Sequence, residues 1–171
     1  MTALDRVCAV LDDHHIAYAL IGAAALAARG VARSTFDIDL LTTDLRVLDA
    51  GAWRSLAADV DIRRGDFDDP LAGVVRVTIA ADRPVDVVVG RHAWQTRAVA
   101  RAEQLGGRAP VALARDLVLL KLYAGGSQDL WDIGELLRNS PASLTGSVDD
   151  DLAVLPEPMK QRWNAVRRAE T

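Results

Sequence analysis

The feature of this sequence that most constrains its fold is a pair of aspartates, Asp37 and Asp39, within the otherwise apolar segment 36–42. The pattern predicts a strand, and side chains two residues apart in a strand lie on one face, with Cα atoms about 6.5–7 Å apart. Two carboxylates on one apolar strand repel each other unless a cation compensates. Asp86 interrupts a second apolar segment, PVDVVVG, in the same way. A strand end in solvent or a turn cap would explain any one of these acids, but the three together favour a site for Mg²⁺, which prefers oxygen ligands.

A glycine marks the end of an apolar segment that precedes the acidic strand. Residues 16–21 predict a strand that ends directly at Gly22, and the small residues that follow predict a helix closed by Gly30. A helix N-terminus presents free backbone N–H groups that suit a phosphate, and glycine allows close approach. Alone the junction is weak evidence, because many glycines merely turn the chain. Its position one helix before the acidic strand places a phosphate cradle and metal ligands at the same end of the sheet.

The order of the remaining elements predicts the fold class. Two segments, VVRVTIA and PVDVVVG, are joined by three residues and predict an antiparallel hairpin. A strand–helix–strand unit, then antiparallel strands, then helices predict an α/β (α+β) fold with a mixed β-sheet flanked by helices. We expect a core over residues 1–112 and a small C-terminal helical region, 113–171, packed on it. The predicted elements are helices at 3–13, 23–30, 45–58, 92–102, 113–124, 128–138 and around Trp163, and strands at 16–21, 36–42, 61–64, 74–80 and 85–90.

Bulk properties narrow the classes of function. A net charge of −4 and a pI near 5.3 argue against a protein that coats nucleic acid by charge alone. No apolar run approaches the ~20 residues of a membrane span, and the N-terminus lacks a signal-peptide pattern. The single cysteine, Cys8, lies in an apolar stretch and is expected to be a buried thiol. These features are typical of a cytoplasmic protein without membrane attachment. The four tryptophans are expected to be core residues rather than base-stacking platforms: Trp53, Trp94, Trp131 and Trp163.

The motifs together resemble the signature of the DNA polymerase beta nucleotidyltransferase superfamily, over roughly residues 16–138. That signature is Gly-Gly or Gly-Ser, a helix, Asp-x-Asp, and a third acid in a later apolar strand. The chain is most similar to the minimal bacterial group related to AbiEii-type abortive-infection toxins. The matching segments are Ile21–Ala23, Arg33–Leu40, Val85–Val87, Leu120–Gly125 and Asp129–Ile133.

The resemblance implies a role for each matching residue of the core. Asp37 and Asp39 would bind two Mg²⁺ ions, with Mn²⁺ as a substitute, and Asp86 would complete the second site. Gly22 and Ala23 would hold the phosphates of an NTP, such as ATP or CTP, through their amides. Ala23 departs from the family pattern, because it offers no serine hydroxyl.

Four further residues receive roles from the same resemblance. Lys121 would neutralise the triphosphate. The spacing fits equally well a structural lysine on a helix, whose charged end extends past apolar neighbours to solvent. Arg33 and Thr35 would orient the nucleotide or take a cap or turn role. Asp129 would contact substrate or act as a base, or else cap its helix.

The resemblance implies transfer of a nucleoside monophosphate to an RNA 3′ end, with tRNA as acceptor, by a toxin that a cognate antitoxin protein neutralises. One alternative is the same chemistry on a small molecule, such as an antibiotic, or on a protein hydroxyl. The other is a catalytically silent binding protein, which Ala23 favours. We expect a basic groove lined by arginines to mark an RNA acceptor and a closed apolar pocket to mark a small one; the arginines are Arg33, Arg63, Arg64 and Arg76.

Overall fold

A five-stranded mixed sheet and seven α-helices form the protein in a computed structural model, which describes residues 1–153 and 155–169. The α/β fold class expected from the sequence is confirmed. In chain order the elements are α1 (Ala3–Asp13), β1 (Ala19–Ile21), α2 (Gly22–Ala28), β2 (Ile38–Thr42), β3 (Asp59–Arg64), β4 (Gly73–Thr78), β5 (Val85–Val89), α3 (Ala93–Ala100), α4 (Ala114–Ala124), α5 (Ser127–Arg138), α6 (Ser143–Leu152) and α7 (Glu157–Ala169).

The chain divides into two compact units. The first comprises residues 1–25 and 34–112 and contains the sheet, and the second comprises residues 26–33 and the described residues from 113 onward. That residues 113–171 form a region packed on a core of residues 1–112 stays a prediction.

In the first unit the strands lie in the order β1-β2-β5-β4-β3. β2 and β5 are parallel, and all other neighbours are antiparallel, including the predicted β4–β5 hairpin. Helix α1 packs on β4 and β5. Val85, Val87 and Val89 of β5 point into the core on this side and are fully buried. Since side chains alternate along a strand, Asp86 lies on the opposite face.

The segment predicted as one helix over 45–58 is instead two short 3₁₀ turns, Leu45–Leu48 and Ala50–Trp53. The Asp44 side chain accepts a hydrogen bond from the backbone N–H of Arg46, and Asp49 accepts one from that of Gly51. Such local side-chain bonds compete with an α-helix, and glycine weakens it further.

Other boundaries differ by a few residues. β1 occupies only Ala19–Ile21 of the predicted 16–21, and β2 starts at Ile38, so Asp37 lies just before the strand. Helix α6 was not predicted, because SLTGSVDDDL is rich in residues that weaken helices. Its buried residues Leu144, Val148 and Leu152 nevertheless recur every four positions, a helical spacing.

In the second unit α4 packs against α5, α6 and α7. The predicted break between α4 and α5 is confirmed at Gly125, which adopts φ +70° at the end of α4. Arg162 of α7 donates hydrogen bonds to the carbonyls of Leu122 (2.7 Å) and Tyr123 (3.3 Å), which satisfies the last turn of α4.

The burial of the tryptophans and of Cys8 tests their predicted core positions. Trp53, Trp94 and Trp163 are buried, as is Cys8. Trp131 is 49 % exposed, so its predicted core role is wrong. On α5 the buried residues include the acid Asp132, which directly follows Trp131. Burial along this helix therefore does not follow the apolar pattern of the sequence. No helix among the described residues is both long and apolar enough to cross a membrane.

Candidate active site

A row of charged residues crosses the sheet on the face opposite α1. Asp39 of β2 and Asp86 of β5 are direct partners in the parallel pair, and Arg76 of β4 is the antiparallel partner of Asp86. Asp61 of β3 continues the row as the partner of Arg76. Partner residues lie on the same face of neighbouring strands, about 4.8 Å apart. The register therefore places two of the predicted metal ligands side by side.

Arg76 pairs with two of the three predicted acids. Its Nη2 donates to Asp37 Oδ2 over 2.7 Å, and its Nε lies 3.4 Å from Asp86 Oδ1. The Arg76 side chain is 41 % exposed, against 34 % for Asp37 and 16 % for Asp86. A single guanidinium thus partly neutralises carboxylates from two different segments.

Asp86 is the more buried member of this cluster. Burial raises the pKa of its carboxyl group, the nearby Arg76 lowers it, and the negative charge of Asp37 raises it further, so the pKa is above its usual value. Oδ1 is buried and accepts no hydrogen bond from any described residue. A buried oxygen of this kind is costly unless a cation or donor reaches it.

The Gly22 turn faces Asp39. Gly22 has φ +63°, and Ile21 just before it is the strand partner of Asp39. A β-carbon built on Gly22 would overlap the Asp39 carboxylate, with Cγ only 2.9 Å away. Glycine is therefore required here by both the backbone angle and the close approach. Ala23, the second residue of α2, is partly buried.

Thr35 shapes the approach to the acidic strand. Its hydroxyl donates to the Asp37 carbonyl over 2.8 Å, with the Asp37 carboxylate oxygen Oδ1 3.4 Å away. In the structure Thr35 thus fixes the bend that carries Asp37, and it occupies the turn position that the sequence left as an alternative to nucleotide contact.

The remaining predicted residues lie in the second unit, around Asp132. This carboxylate is fully buried, and it lies 2.7 Å from Arg33 Nη1 and 2.7 Å from Lys121 Nζ. Lys121 also pairs with Asp129 over 2.8 Å. Burial alone would lower the pKa of Lys121, but its hydrogen bonds to Asp129 and Asp132 outweigh this and raise the pKa. Lys121 is therefore a charged ammonium within an ion-pair network.

Asp129 performs two structural tasks in that network. Besides accepting from Lys121, it accepts a hydrogen bond from the backbone N–H of Gly126 over 3.1 Å, which caps the N-terminus of α5. The cap that the sequence left as an alternative for Asp129 is thus present.

The donor set of the first unit fits a divalent cation, although its side chains are not gathered around one. Among residues 1–153 and 155–169, no three His, Cys, Asp or Glu side chains converge closely enough to hold a metal. Carboxylate oxygens are nevertheless the ligands that Mg²⁺ takes, and Oδ1 of Asp86, which is buried and accepts no hydrogen bond from a described residue, provides one. Arg76 contacts oxygen atoms of Asp37 and Asp86, which are two of the three expected metal ligands.

A pocket of about 360 Å³ begins at Asp86 and extends along β4 and β3 to the loop between them; we call it the β3–β4 pocket. Arg91 donates to the carbonyls of Gly65 and Asp66 and so anchors this loop. Three of the arginines expected in an RNA groove line the pocket, but three aspartates accompany them, so it is neither basic nor apolar. Its charged lining residues are Asp61, Asp69, Asp86, Arg63, Arg64 and Arg76.

Sequence reasoning assigned no specific contact to Arg76 and no role to Asp132. Arg76 interrupts the apolar pattern VVRVTIA just as Asp86 interrupts the next strand, and this shared signal could have indicated the pair. Asp132 lies three residues after Asp129, on the same helical face, and this spacing could have indicated that both reach one partner, Lys121.

Comparison with known proteins finds likeness in structure but not in sequence. No protein-family model matches the chain, and no curated protein matches it. The solution structure of the antibiotic-resistance factor ANT(2″)-Ia superposes with a TM-score of 0.58 at 15 % identity, covering 97 % of this chain and 94 % of the other. A crystal structure of ANT(2″)-Ia with adenylyl-2″-tobramycin gives 0.54 at 16 %, covering 98 % and 97 %. This is a nucleotidyltransferase fold. A candidate nucleotidyltransferase from H. pylori shares the nucleotidyltransferase fold at a TM-score of 0.50 and 13 % identity, covering 98 % and 92 %.

Proposed function

We propose that this protein is a metal-dependent nucleotidyltransferase that transfers a nucleoside monophosphate from an NTP to an acceptor hydroxyl. The observation that carries the proposal is the alignment of Asp39 with Asp86 on neighbouring parallel strands, with Asp37 two residues earlier. The Gly22 turn lies against the same carboxylate. The nucleotidyltransferase fold of the chain supports the same class of reaction.

In this proposal Asp37 and Asp39 hold two Mg²⁺ ions, or Mn²⁺, and Asp86 completes the second site. The bound ions would neutralise the triphosphate and lower the pKa of the attacking hydroxyl. The hydroxyl oxygen bonds to the α-phosphorus while the bond to pyrophosphate breaks. Asp129 would contact the substrate or accept the proton of the hydroxyl.

Further residues receive roles in NTP binding within the same proposal. The amides of Gly22 and Ala23 would hold phosphates, with Arg33 and Thr35 orienting the nucleotide. We propose that Lys121 neutralises the triphosphate. Its ammonium is charged and already held in one place by Asp129 and Asp132, so little rotamer freedom remains to be lost on binding.

For the acceptor we propose an RNA 3′ end, with tRNA the first to test, and a cytoplasmic toxin role opposed by a cognate antitoxin protein. The support is the similarity of Arg33–Leu40 and Leu120–Gly125 to AbiEii-type toxins. The balanced charges of the β3–β4 pocket do not add to this support, because three arginines there are offset by three aspartates.

A small-molecule acceptor is the second candidate, and the volume of the β3–β4 pocket favours it, whereas the charged lining does not match the closed apolar pocket expected for such an acceptor. The pocket begins at Asp86, and its volume of about 360 Å³ lies in the range of pockets that enclose small ligands. The ANT(2″)-Ia crystal structure holds adenylyl-2″-tobramycin on the same fold.

The deciding experiment incubates the protein with Mg²⁺ and each α-labelled NTP, together with total RNA, cell proteins or hydroxyl-bearing antibiotics. Label should enter one acceptor class, and Asp37→Asn should abolish incorporation while circular dichroism shows an unchanged fold. Asp59→Asn is the matched control, because Asp59 is an exposed acid on β3 outside the cluster. Equal incorporation by Asp37→Asn would refute the assignment, and no incorporation into any acceptor would favour a silent binding protein.

The toxin role has its own test in living cells. Inducing the chain in bacteria should arrest growth, and Asp39→Ala should relieve the arrest at equal expression. Normal growth with an active enzyme would point to a benign acceptor.

A further inference from the structure

Arg76 lies between Asp37 and Asp86, where the proposed function places a metal ion. It comes from β4, beside Asp86 of β5, and its guanidinium reaches Asp37 just before β2. The Nη2 atom lies 2.7 Å from Asp37 Oδ2, and Nε lies 3.4 Å from Asp86 Oδ1. One positive charge therefore lies between carboxylates that would otherwise repel each other.

The guanidinium is able to leave this position. The Arg76 side chain is 41 % exposed, and it also lines the β3–β4 pocket. A partly exposed ion pair is weak enough to be exchanged for a stronger cation. A divalent ion bound to Asp37 Oδ2 and Asp86 Oδ1 would compete with the guanidinium for these oxygens and would repel its positive charge, which favours displacement of the guanidinium.

Building on the proposed function, we propose that Arg76 is the counter-ion of the metal-free site. Its guanidinium holds Asp37 and Asp86, is displaced when a divalent cation binds, and then binds a phosphate group of the incoming nucleotide. Arginine is suited to both positions, because its planar guanidinium donates paired hydrogen bonds to carboxylates and phosphates alike.

This exchange has two consequences for binding. The divalent ion alone binds weakly, because it must first break the contacts of Arg76. The nucleotide provides new acceptors for the displaced guanidinium, so nucleotide and metal strengthen each other's binding by the same factor. Arg76 thereby acts as a positioning residue that couples metal loading to the presence of substrate.

The test measures equilibrium binding of Mn²⁺ by electron paramagnetic resonance, with and without a non-hydrolysable NTP analogue. Without nucleotide, Arg76→Gln should bind Mn²⁺ about three- to tenfold more tightly than the wild type, the effect of losing one competing ion pair. The analogue should tighten Mn²⁺ binding in the wild type and have a smaller effect in Arg76→Gln.

Two further variants make the result specific. Arg63→Gln removes a positive charge from the same region, but Arg63 pairs with Asp61 over 2.8 Å, so Mn²⁺ binding should stay within about twofold. Arg76→Lys keeps the charge but lacks the planar fork, so its Mn²⁺ affinity should fall between those of the wild type and Arg76→Gln. It also serves as the folded comparison if Arg76→Gln is unstable.

Unchanged or weaker Mn²⁺ binding in folded Arg76→Gln or Arg76→Lys would overturn the inference, as would equal coupling to nucleotide in wild type and variant. These outcomes are separable from failure of the proposed function. Transfer activity with no effect of Arg76 on Mn²⁺ would overturn only the counter-ion role. An Arg76 effect without transfer to any acceptor would uphold that role and count against the enzyme.

Discussion

No side chain fits between Gly22 and Asp39. A β-carbon on Gly22 would overlap the Asp39 carboxylate, and the backbone of Gly22 adopts φ +63°, which other residues rarely adopt. The close approach brings the turn at the start of α2 directly against a predicted metal ligand.

We expect Gly22→Ala to abolish both nucleotidyl transfer and Mn²⁺ binding, because the added methyl group must push the Asp39 carboxylate aside. Gly30→Ala is the matched control: Gly30 has φ +88°, but a β-carbon there meets no atom within 4 Å. Both substitutions force alanine into a left-handed conformation, at a cost of about 1–2 kcal/mol. Thermal unfolding should show this loss in Gly30→Ala and a larger one in Gly22→Ala, where the Asp39 carboxylate must also move. Normal Mn²⁺ binding by Gly22→Ala would show that the Asp39 carboxylate does not need its present position.

Lys121→Met should lower the free energy of unfolding by about 3 kcal/mol or more, since it leaves the fully buried Asp132 with Arg33 as its remaining cationic partner. Because the pKa of Lys121 is raised, its stabilising contribution is complete below about pH 10.5 and declines as the pH rises through the raised value. Urea unfolding at pH 8 and above pH 11 measures the difference between wild type and variant. A difference that does not shrink at high pH would contradict the ion-pair role.

Trp163→Ala should lower the free energy of unfolding by about 3–5 kcal/mol, because Trp163 is 1 % exposed and its indole N–H donates to Asp149 over 2.7 Å. Trp131→Ala, on the half-exposed residue of α5, should change it by no more than about 0.5 kcal/mol. Denaturant titrations of the two variants make the comparison. Equal losses would mean that Trp131 contributes to stability through contacts beyond its own helix.

The secondary structure was predictable where the sequence has a clear apolar–polar periodicity. Val85, Val87 and Val89 alternate with Asp86, which indicated a strand with one apolar face and one acidic position. The pattern failed over residues 45–58, because apolar spacing there is helical while Asp44 and Asp49 bind nearby backbone N–H groups instead. Periodicity reports which residues are buried, but it does not report which hydrogen bonds the backbone makes.

The candidate site was predictable in its acids but not in its cation. The spacing of Asp37 and Asp39 placed them near one another, whereas the partnership of Asp39 with Asp86 depends on strand order, which one sequence does not determine. Arg76 came next to Asp86 through the register of the β4–β5 hairpin. For the same reason Arg33, distant in sequence from Asp132, was not expected to pair with it.

One edge strand of the sheet, β3, affects how the protein behaves at high concentration. It pairs with β4 alone among the described strands, and four of its six residues are charged: Asp59, Asp61, Arg63 and Arg64. The unpaired backbone N–H and C=O groups of an edge strand can form hydrogen bonds with a strand of another molecule. Charged side chains on the edge strand make this pairing unfavourable. The segment that borders the pocket thus also disfavours the addition of a foreign strand at this edge of the sheet.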